Sequence, residues 1–297
     1  MIASRFGEFA ALLTALCWTF GALAFEIACK RAGATAVNWL RLIVGFVLIS
    51  IFCLFYRGAL FPSDASAHTW FWLTLSGVIG FSIGDFLLFR AFIVIGSRIS
   101  MLIMASVPPI TALIGWTVLG ETLEGMDLLG MALTVGGIAM VVLERQAGQD
   151  QKKFTHSMQG VLLAFGGAVG QAVGLVLSKY GMGTYDAFAA TQIRILAGTL
   201  SFALLFFFRG WVNVYHTIWD RKAALPMFWG ALFGPFLGVS FSLLAVQHTT
   251  TGVASTIMAI VPVLIIPPAI ILFKERVTAR EAIGAFAAVT GVALFFL

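Results

Sequence analysis

The feature that most constrains this chain is an internal repeat of about half its length. Pro108 recurs as Pro262 at a spacing of 154 residues (262 − 108), and the glycines around it recur with it. Earlier in each half, Arg41 recurs as Arg194 at a spacing of 153 residues (194 − 41). This period is far longer than that of a solenoid repeat. The chain is therefore a tandem duplication of a whole half-domain.

Composition places both halves in a membrane. Hydrophobic residues make up 60% of the chain and charged residues only 10%, and the mean hydropathy is +1.01. Such values lie well outside the soluble globular range. Apolar runs of roughly twenty residues, the length that crosses a bilayer, recur throughout. They predict ten spans, near 8–29, 36–56, 70–92, 98–119, 125–143, 159–179, 187–208, 224–246, 252–273 and 279–297.

The net charge of +5 does not indicate a nucleic-acid partner. Lysines and arginines occur singly or in pairs near the ends of the spans, where such side chains anchor helices at the lipid interface. The three cysteines, Cys17, Cys29 and Cys53, fall within or at the end of apolar spans without paired spacing. We therefore expect no disulfide framework, no metal site and no cofactor.

Each copy of the repeat contains five predicted spans, and this odd number determines how the copies are related. A chain that crosses five times begins its second copy on the opposite side of the membrane, so the halves must be inverted. Inverted repeats around one central site are the architecture of alternating-access transporters. We expect an all-α integral membrane protein with ten transmembrane helices, arranged as two inverted five-helix repeats around a central cavity. The predicted boundaries are 1–144 for the first repeat, 145–157 for a linker and 158–297 for the second repeat.

Two other classes of membrane protein fit the sequence less well. A channel would favour rings of like residues contributed by symmetric subunits. An intramembrane enzyme would need a metal cluster or a nucleophile with its base, and the sequence shows neither pattern. The protein is therefore expected not to be an enzyme.

Prolines interrupt the predicted spans 98–119 and 252–273 at matching places, with Pro108 in the first and Pro262 in the second. Proline inside a helix frees a carbonyl group, which membranes tolerate where neighbours or a water-filled cavity satisfy the backbone. Matched interruptions in two halves indicate a transport site near the midplane, so we predict that both prolines are hinges. A plain packing kink is the alternative.

Several polar or aromatic side chains are predicted at membrane depth, where an unpaired polar group is costly. We predict that these side chains line the cavity and bind substrate: Trp18, Asn38, Arg41, Ser82, Gln171, Gln192 and Arg194. The alternative for the two arginines is that they extend to the lipid interface. The alternative for Trp18 is packing against a neighbouring helix.

Asp85 lies deep in the third predicted span, where a carboxylate is a functional-site hypothesis by default. We predict that it couples an ion or contacts the substrate. The alternative is a structural pair with an arginine such as Arg90, although a separation of five residues on one helix suits such a pair poorly. The second half has Val239 at this position, so the site would be asymmetric.

The sequence from Gly80 to Gly84 fits the G-x-S-x-G pattern of hydrolases, with Ser82 at its centre. That pattern needs a strained turn between a strand and a helix, whereas this copy lies inside an apolar span. The second half keeps the glycines, as Gly234 and Gly238, without the serine. Small residues four positions apart allow helices to cross closely, so we predict helix packing and not catalysis.

Both copies share a longer pattern that follows the proline. It consists of Gly-Glu-Thr-Leu at 120–123 or Lys-Glu-Arg-Val at 274–277, and then of two glycines, which are Gly130 and Gly137 or Gly284 and Gly291. We interpret Glu121 and Glu275 as structural groups that hold the turn into the next helix. The whole pattern resembles the EamA-type members of the drug/metabolite transporter superfamily, over almost the entire chain.

The resemblance implies ten helices around a cavity that is formed by the first four helices of each half. It also implies a multi-pass protein of the bacterial inner membrane that exports amino acids or other small metabolites. Multidrug or nucleotide-sugar-type exchange is an alternative within this class, and a scaffold subunit without transport is an alternative outside it. The expected partners are a small-molecule substrate and the lipid bilayer, with the protein as a monomer or a homodimer.

The side of the membrane that holds the termini stays open. Of the 18 Lys and Arg residues, the predicted spans place most on the side opposite the termini, which puts the termini outside by the positive-inside rule. The resemblance implies that the termini are cytoplasmic. The two indications disagree.

Overall fold

The computed structural model describes residues 5–32, 34–147, 158–209, 221–268 and 278–296, and no strand occurs in these ranges. In the first half the helices are α1 (Phe6–Ala32), α2 (Ala34–Arg57), α3 (Ala67–Gly77), α4 (Asp85–Met104), α5 (Val107–Ile114) and α6 (Gly125–Ala147). In the second half they are α7 (Met158–Met182), α8 (Ala187–Arg209), α9 (Arg221–Ala231), α10 (Val239–His248), α11 (Thr251–Met258), α12 (Val261–Leu264) and α13 (Ala279–Leu294). Residues 148–157 of the predicted linker, and Glu275, lie outside the described residues.

The duplication extends to an irregular feature of the backbone. Val78–Gly84 joins α3 to α4 as a π-helix, and Leu232–Gly238 joins α9 to α10 in the same way. The two segments are equivalent at the spacing of 154 residues (232 − 78). A third π segment, Gly115–Leu119, follows α5. Because π turns close their hydrogen bonds over five residues instead of four, they rotate the face presented by the helix that follows.

Eight helices of the described chain are long and apolar enough to cross a membrane, and they coincide with eight of the predicted spans. The other two predictions, 98–119 and 279–297, coincide with the shorter apolar helix Val107–Leu119 and with α13. The predicted number of ten crossings is therefore not confirmed.

One predicted boundary is wrong. The sequence predicted a loop near residues 93–97, but α4 continues to Met104 without interruption. At the equivalent place in the second half the helix does break, and the side chain of Thr250 caps the start of α11 by accepting a hydrogen bond from the Val253 N–H. The first half has Gly96 at the position of Thr250, and glycine has no side chain that could cap a new helix.

Equivalent helices of the two halves run antiparallel where they touch. Helices α2 and α8 correspond, and here Gly45 lies against Ile195 while Gly198 lies against Leu42. The residue number therefore rises along one helix as it falls along the other. This is the relation expected of inverted repeats.

Two glycine crossings hold the first helix of each half against the third predicted span of the other. Gly174 of α7 crosses Gly80, and a Cβ on Gly174 would lie 3.1 Å from the Gly80 Cα. Gly21 of α1 crosses Gly234, where a Cβ on Gly21 would lie 3.4 Å from the Gly234 nitrogen. The two contacts are copies of each other under the repeat. As predicted, the glycines of the G-x-S-x-G pattern pack helices.

Helices α6 and α13, the last of each half, form a third crossing of this kind. A Cβ on Gly137 would lie 2.5 Å from both the Ala288 nitrogen and the Gly284 oxygen. A Cβ on Gly130 would lie 2.9 Å from the Gly291 oxygen. The four later glycines of the repeated pattern, Gly130, Gly137, Gly284 and Gly291, therefore serve the contact between these two helices.

The apolar core lies between the halves. Fully buried side chains such as Leu42, Leu73, Ile193 and Leu243 come from both repeats and belong to one cluster. Large apolar side chains are also exposed on the outside of the bundle, and Phe55 is one of them. In water such exposure would indicate an interaction surface. In a chain of this hydropathy it is the surface that faces lipid.

Both ends of the described chain lie on one face of the bundle. The rings of Phe9 and Phe296 are 5.2 Å apart, and Gly7 lies against Thr249. Helix α2 ends at Arg57 on the same face, where its side chain meets residues that follow α7. We call this surface the terminus face.

The α6–α13 crossing predicts that alanine substitutions at two adjacent glycines have very different effects on stability. Gly137→Ala forces backbone atoms apart and should lower the free energy of unfolding by about 1–3 kcal/mol, as overpacking of a close contact does. Gly136→Ala is the matched control, because a Cβ there meets nothing within 4 Å. Thermal unfolding in detergent measures both variants. Equal midpoints would show that the crossing is loose.

Candidate functional site

A cavity of about 360 Å³ lies between the two halves. Most of its wall consists of equivalent positions, one from each repeat. These matched pairs are Trp18 and Gln171, Ala22 and Leu175, Arg41 and Arg194, Phe81 and Pro235, Asp85 and Val239, Leu88 and Ser242, Met104 and Met258, Ala105 and Ala259, and Val107 and Val261. The cavity therefore lies on the pseudo-twofold axis that relates the repeats.

The proline positions form part of this wall. Helix α4 ends at Met104 and α5 starts at Val107, while α11 ends at Met258 and α12 starts at Val261. Each proline occupies the first turn of the new helix, where its missing N–H has no intrahelical partner to lose. The prolines thus mark helix interruptions rather than plain kinks. Pro262 lines the cavity, whereas Pro108 is buried and follows Val107, which lines the cavity.

Asp85 is the polar centre of the cavity. It opens α4 directly after the π segment and is buried. Arg41 of α2 donates a hydrogen bond to Asp85 Oδ2, and Gln171 of α7 donates one to Oδ1 over 2.8 Å. A buried carboxylate is tolerated when both its oxygens are bound in this way. The alternative pair with Arg90 is not formed, because the Arg90 guanidinium lies over the Phe86 ring.

Arg194 contributes a second guanidinium to the same cavity. It is only 5% exposed, and its guanidinium carbon lies 5.0 Å from the centre of the Phe81 ring. Among the described residues none accepts a hydrogen bond from it, and its Nε is buried without a partner. Arg41 similarly lies over the Phe25 ring. Both arginines therefore lie on the cavity wall, as predicted, and do not extend to the lipid interface as the alternative had it.

Trp18 and Gln171 occupy equivalent positions on the cavity wall. The indole of Trp18 packs so closely against Gly238 that a Cβ there would overlap it. Gln171 follows Gly170, which crosses Gly84 just before Asp85. The close helix crossings thus fix the position of both side chains on the cavity wall.

Two predicted site residues instead connect helices outside the cavity. The amide of Gln192 donates hydrogen bonds to Ser50 Oγ over 2.7 Å and to the Leu60 carbonyl over 2.8 Å. Ser82 forms a hydrogen bond with Ser201 of α8. A third, Asn38, is buried away from the cavity wall, and its Oδ1 has no partner in the described chain.

A polar cluster joins the two halves on the terminus face. Glu121 Oε1 accepts a hydrogen bond from Lys179 Nζ over 2.6 Å. Glu121 Oε2 accepts one from the Thr251 N–H over 2.8 Å and one from Thr251 Oγ1 over 2.6 Å. Lys179 also donates to the Thr249 carbonyl. We call these four residues the seal.

The seal differs from the role predicted for Glu121. The sequence indicated that Glu121 holds the turn that follows it in the first half. The structure shows its carboxylate bound to Lys179 and Thr251, which both belong to the second half. Sequence reasoning missed these partners, because nothing in a single sequence indicates that residues 58 positions apart are neighbours.

A second cluster on the terminus face joins the segment after α2 to the segment before α8. Arg57 pairs with Asp64 over 2.5 Å, and the Tyr185 hydroxyl donates to Asp64 Oδ1 over 3.0 Å. Gln247 donates to the Tyr185 carbonyl over 3.0 Å. We call Arg57, Asp64 and Tyr185 the clasp.

The two clasp residues that lie in loops, Asp64 and Tyr185, have shifted pKa values. Burial tends to raise the pKa of Asp64, but hydrogen bonds from Tyr185, from its own backbone and from Arg57 outweigh this effect and hold the pKa below its ordinary value. The pKa of Tyr185 is raised to about 12, first by burial and then by its hydrogen bond to Asp64. Both shifts favour the clasp near neutral pH.

The fold and the cavity define a multi-pass helical membrane protein that is built from two related halves. The EamA-like transporter family matches residues 5–143 and, a second time, residues 158–297. The chain belongs to the EamA-like transporter family, which consists of membrane transporters.

A solved structure, described only as "Crystal structure of protein", is similar in fold. Its TM-score is 0.73 at 18% sequence identity, and the match covers 98% of this chain and 96% of that chain. At this identity the likeness shows the fold alone. No curated protein matches the chain.

The clasp predicts a specific loss of stability at alkaline pH. The pKa of Tyr185 lies above its ordinary value of 10.0, so its contribution to stability is complete below pH 10 and is lost as pH rises towards about 12. The difference in unfolding temperature between the wild type and Tyr185→Phe should therefore shrink across that range. Comparison with Tyr180→Phe cancels general alkaline effects. A difference that is constant from pH 9 to 12 would contradict the assigned hydrogen bond.

Proposed function

We propose that this protein is a secondary transporter that exports small metabolites, with amino acids as the first class to test, by alternating access through the central cavity. The proposed location is the plasma membrane of a bacterial cell. Membership of a transporter family supports the general class. The mechanism rests on the symmetry of the cavity.

The paired wall of the cavity is the observation that carries this proposal. Because equivalent residues of inverted halves surround one space, exchanging the conformations of the halves leaves the site in place and exchanges the membrane faces. The matched helix interruptions at Met104 and Met258 lie on that wall. They provide flexible positions beside the bound substrate, where helix ends can move without breaking long helices.

The seal fits the closed face of such a transporter. Its contacts connect the first half, through Glu121, to the second half, through Lys179 and Thr251. Opening the terminus face requires these contacts to separate. The carboxylate side chain is only 11% exposed and the lysine side chain 25% exposed, so the pair is shielded enough to favour the closed state.

Asp85 is the proposed coupling group. A proton on its carboxylate would remove the charge that holds Arg41 and would weaken the bond from Gln171. These partners come from the two different halves. The protonation state of Asp85 would therefore change the contact between the halves at the substrate site.

Transport in proteoliposomes tests the proposal. Uptake of radiolabelled amino acids is measured with and without a pH gradient for the wild type, Asp85→Asn and the matched control Glu124→Gln, whose carboxylate is exposed and remote from the cavity. We expect saturable uptake that responds to the gradient in the wild type and the control, and uptake without that response in Asp85→Asn.

Two results would contradict parts of this account. Wild-type uptake that ignores the gradient would make the protein a facilitator and Asp85 a structural group. Absence of uptake of every amino acid by protein that elutes as a single folded species would reject amino acids as the substrate class.

A further inference from the structure

The charged side chains on the cavity wall carry more positive than negative charge. Its described wall carries two guanidinium groups, from Arg41 and Arg194, and one carboxylate, from Asp85. Both oxygens of Asp85 are already bound, one by Arg41 and one by Gln171. Arg194 therefore remains without an anionic partner in direct contact, although it is almost completely buried.

A buried guanidinium without an anion is costly, because burial removes its hydration and supplies no hydrogen-bond acceptor in return. The Phe81 ring offsets part of this cost through its negative face. It does not replace an acceptor, since the Arg194 Nε has none in the described chain. The unmet requirement of this site is one further negative charge inside the cavity.

We infer that Arg194 binds the carboxylate of the transported molecule, and that the substrate is a small organic acid with an apolar body. This inference rests on the proposed transport function. The planar fork of arginine matches a carboxylate, with two parallel hydrogen bonds. The rest of the wall is mainly apolar, with Leu88, Leu175 and Met258 around the charged centre. A volume of about 360 Å³ suits a molecule of this size.

The charged groups on the cavity wall also indicate that the site does not require an amino group on the substrate. An amino acid would also bring an ammonium group, which requires an acceptor. The only carboxylate on the described wall is that of Asp85, and each of its oxygens already accepts a hydrogen bond. The hydroxyls of Ser242 and Ser255 donate to carbonyls of their own helices, so they offer an ammonium group only neutral acceptor oxygens. The wall thus provides a guanidinium for a carboxylate but no free anion for an ammonium, and we expect an acid without the amino group to bind at least as tightly as the amino acid.

Binding of three related compounds tests this inference. The probes are 3-phenylpropionate, L-phenylalanine and the neutral 3-phenylpropanamide, titrated by calorimetry in a chloride-free buffer so that no small inorganic anion occupies Arg194. We expect 3-phenylpropionate to bind at least as tightly as L-phenylalanine. The amide should bind roughly thirty-fold or more weakly, because it cannot neutralise the buried guanidinium.

Variants locate the effect at Arg194. Arg194→Gln should weaken binding of 3-phenylpropionate roughly thirty-fold or more and abolish the preference for the acid over the amide. Arg194→Lys, which keeps the charge and loses the fork, should fall between Arg194→Gln and the wild type. The matched control is Arg280→Gln, whose side chain is 79% exposed and remote from the cavity. It should bind like the wild type.

Stability without ligand provides a second readout that a structural role would not share. If Arg194 is held for the substrate, Arg194→Gln should unfold at the same temperature as the wild type or higher, since it removes a buried charge that no anion contacts directly. A large loss of stability would assign Arg194 to the support of Asp85 and would overturn the inference. Equal binding of the acid and the amide would overturn it as well.

The outcomes separate this inference from the proposed function. Tight binding of the acid that depends on Arg194, without transport in proteoliposomes, would support the carboxylate site and reject the transporter mechanism. Transport of neutral amides that is unchanged in Arg194→Gln would support transport and reject the carboxylate site. Tighter binding of L-phenylalanine than of 3-phenylpropionate would show that the ammonium is also recognised and would overturn the predicted preference.

Discussion

The close crossing of helices from opposite halves is the contact on which the rest of this structure depends. Gly174 on Gly80 and Gly21 on Gly234 bring backbones together, most closely at Gly174, where a Cβ would already crowd the Gly80 backbone. In lipid, helices gain little from the hydrophobic effect when they associate, so such close packing supplies much of the driving force. These two contacts, which are copies of one another, hold the halves together on either side of the cavity, and the neighbouring contacts of Gly238 with Trp18 and of Gly170 with Gly84 position Trp18 and Gln171 on its wall.

The backbone follows the internal repeat more closely than the side chains of the site do. Both π segments, both proline interruptions and both cavity arginines recur, whereas Asp85 is matched by Val239 and Trp18 by Gln171. The terminus face is similarly one-sided. Lys179 of the seal is matched by Glu26 in the first half, so the repeat does not supply the same acid–base pair twice. A duplicated scaffold thus supports one asymmetric site, with polar contacts between the halves that the repeat does not duplicate.

Much of the fold followed from residue spacing alone. The constant shift between Pro108 and Pro262 revealed the duplication, and the odd number of predicted spans required inversion, which the antiparallel contact of α2 with α8 supports. The site was only partly predictable. Asp85 was expected from its depth, but its partner Arg41 lies 44 positions away on another helix, and no local pattern connects the two.

Other features of the site depend on geometry that one sequence does not contain. Gln192 and Arg194 are two positions apart on α8, so they point to different sides, and only Arg194 reaches the cavity. The partners of Glu121 come from the other half of the chain. The loop that the sequence predicted near residues 93–97 does not occur. Gly96 lacks the capping side chain that Thr250 provides at the equivalent place in the second half.

The accessibility of Ser255 tests the central claim of alternating access most directly. Ser255 lines the cavity one turn below Thr251 of the seal. In protein that lacks Cys17, Cys29 and Cys53, Ser255→Cys is exposed to a membrane-impermeant maleimide from either face of sealed vesicles. The account predicts reaction from both faces, with faster reaction from the terminus face when Glu121→Gln opens the seal. Reaction from a single face, unchanged by Glu121→Gln, would contradict it.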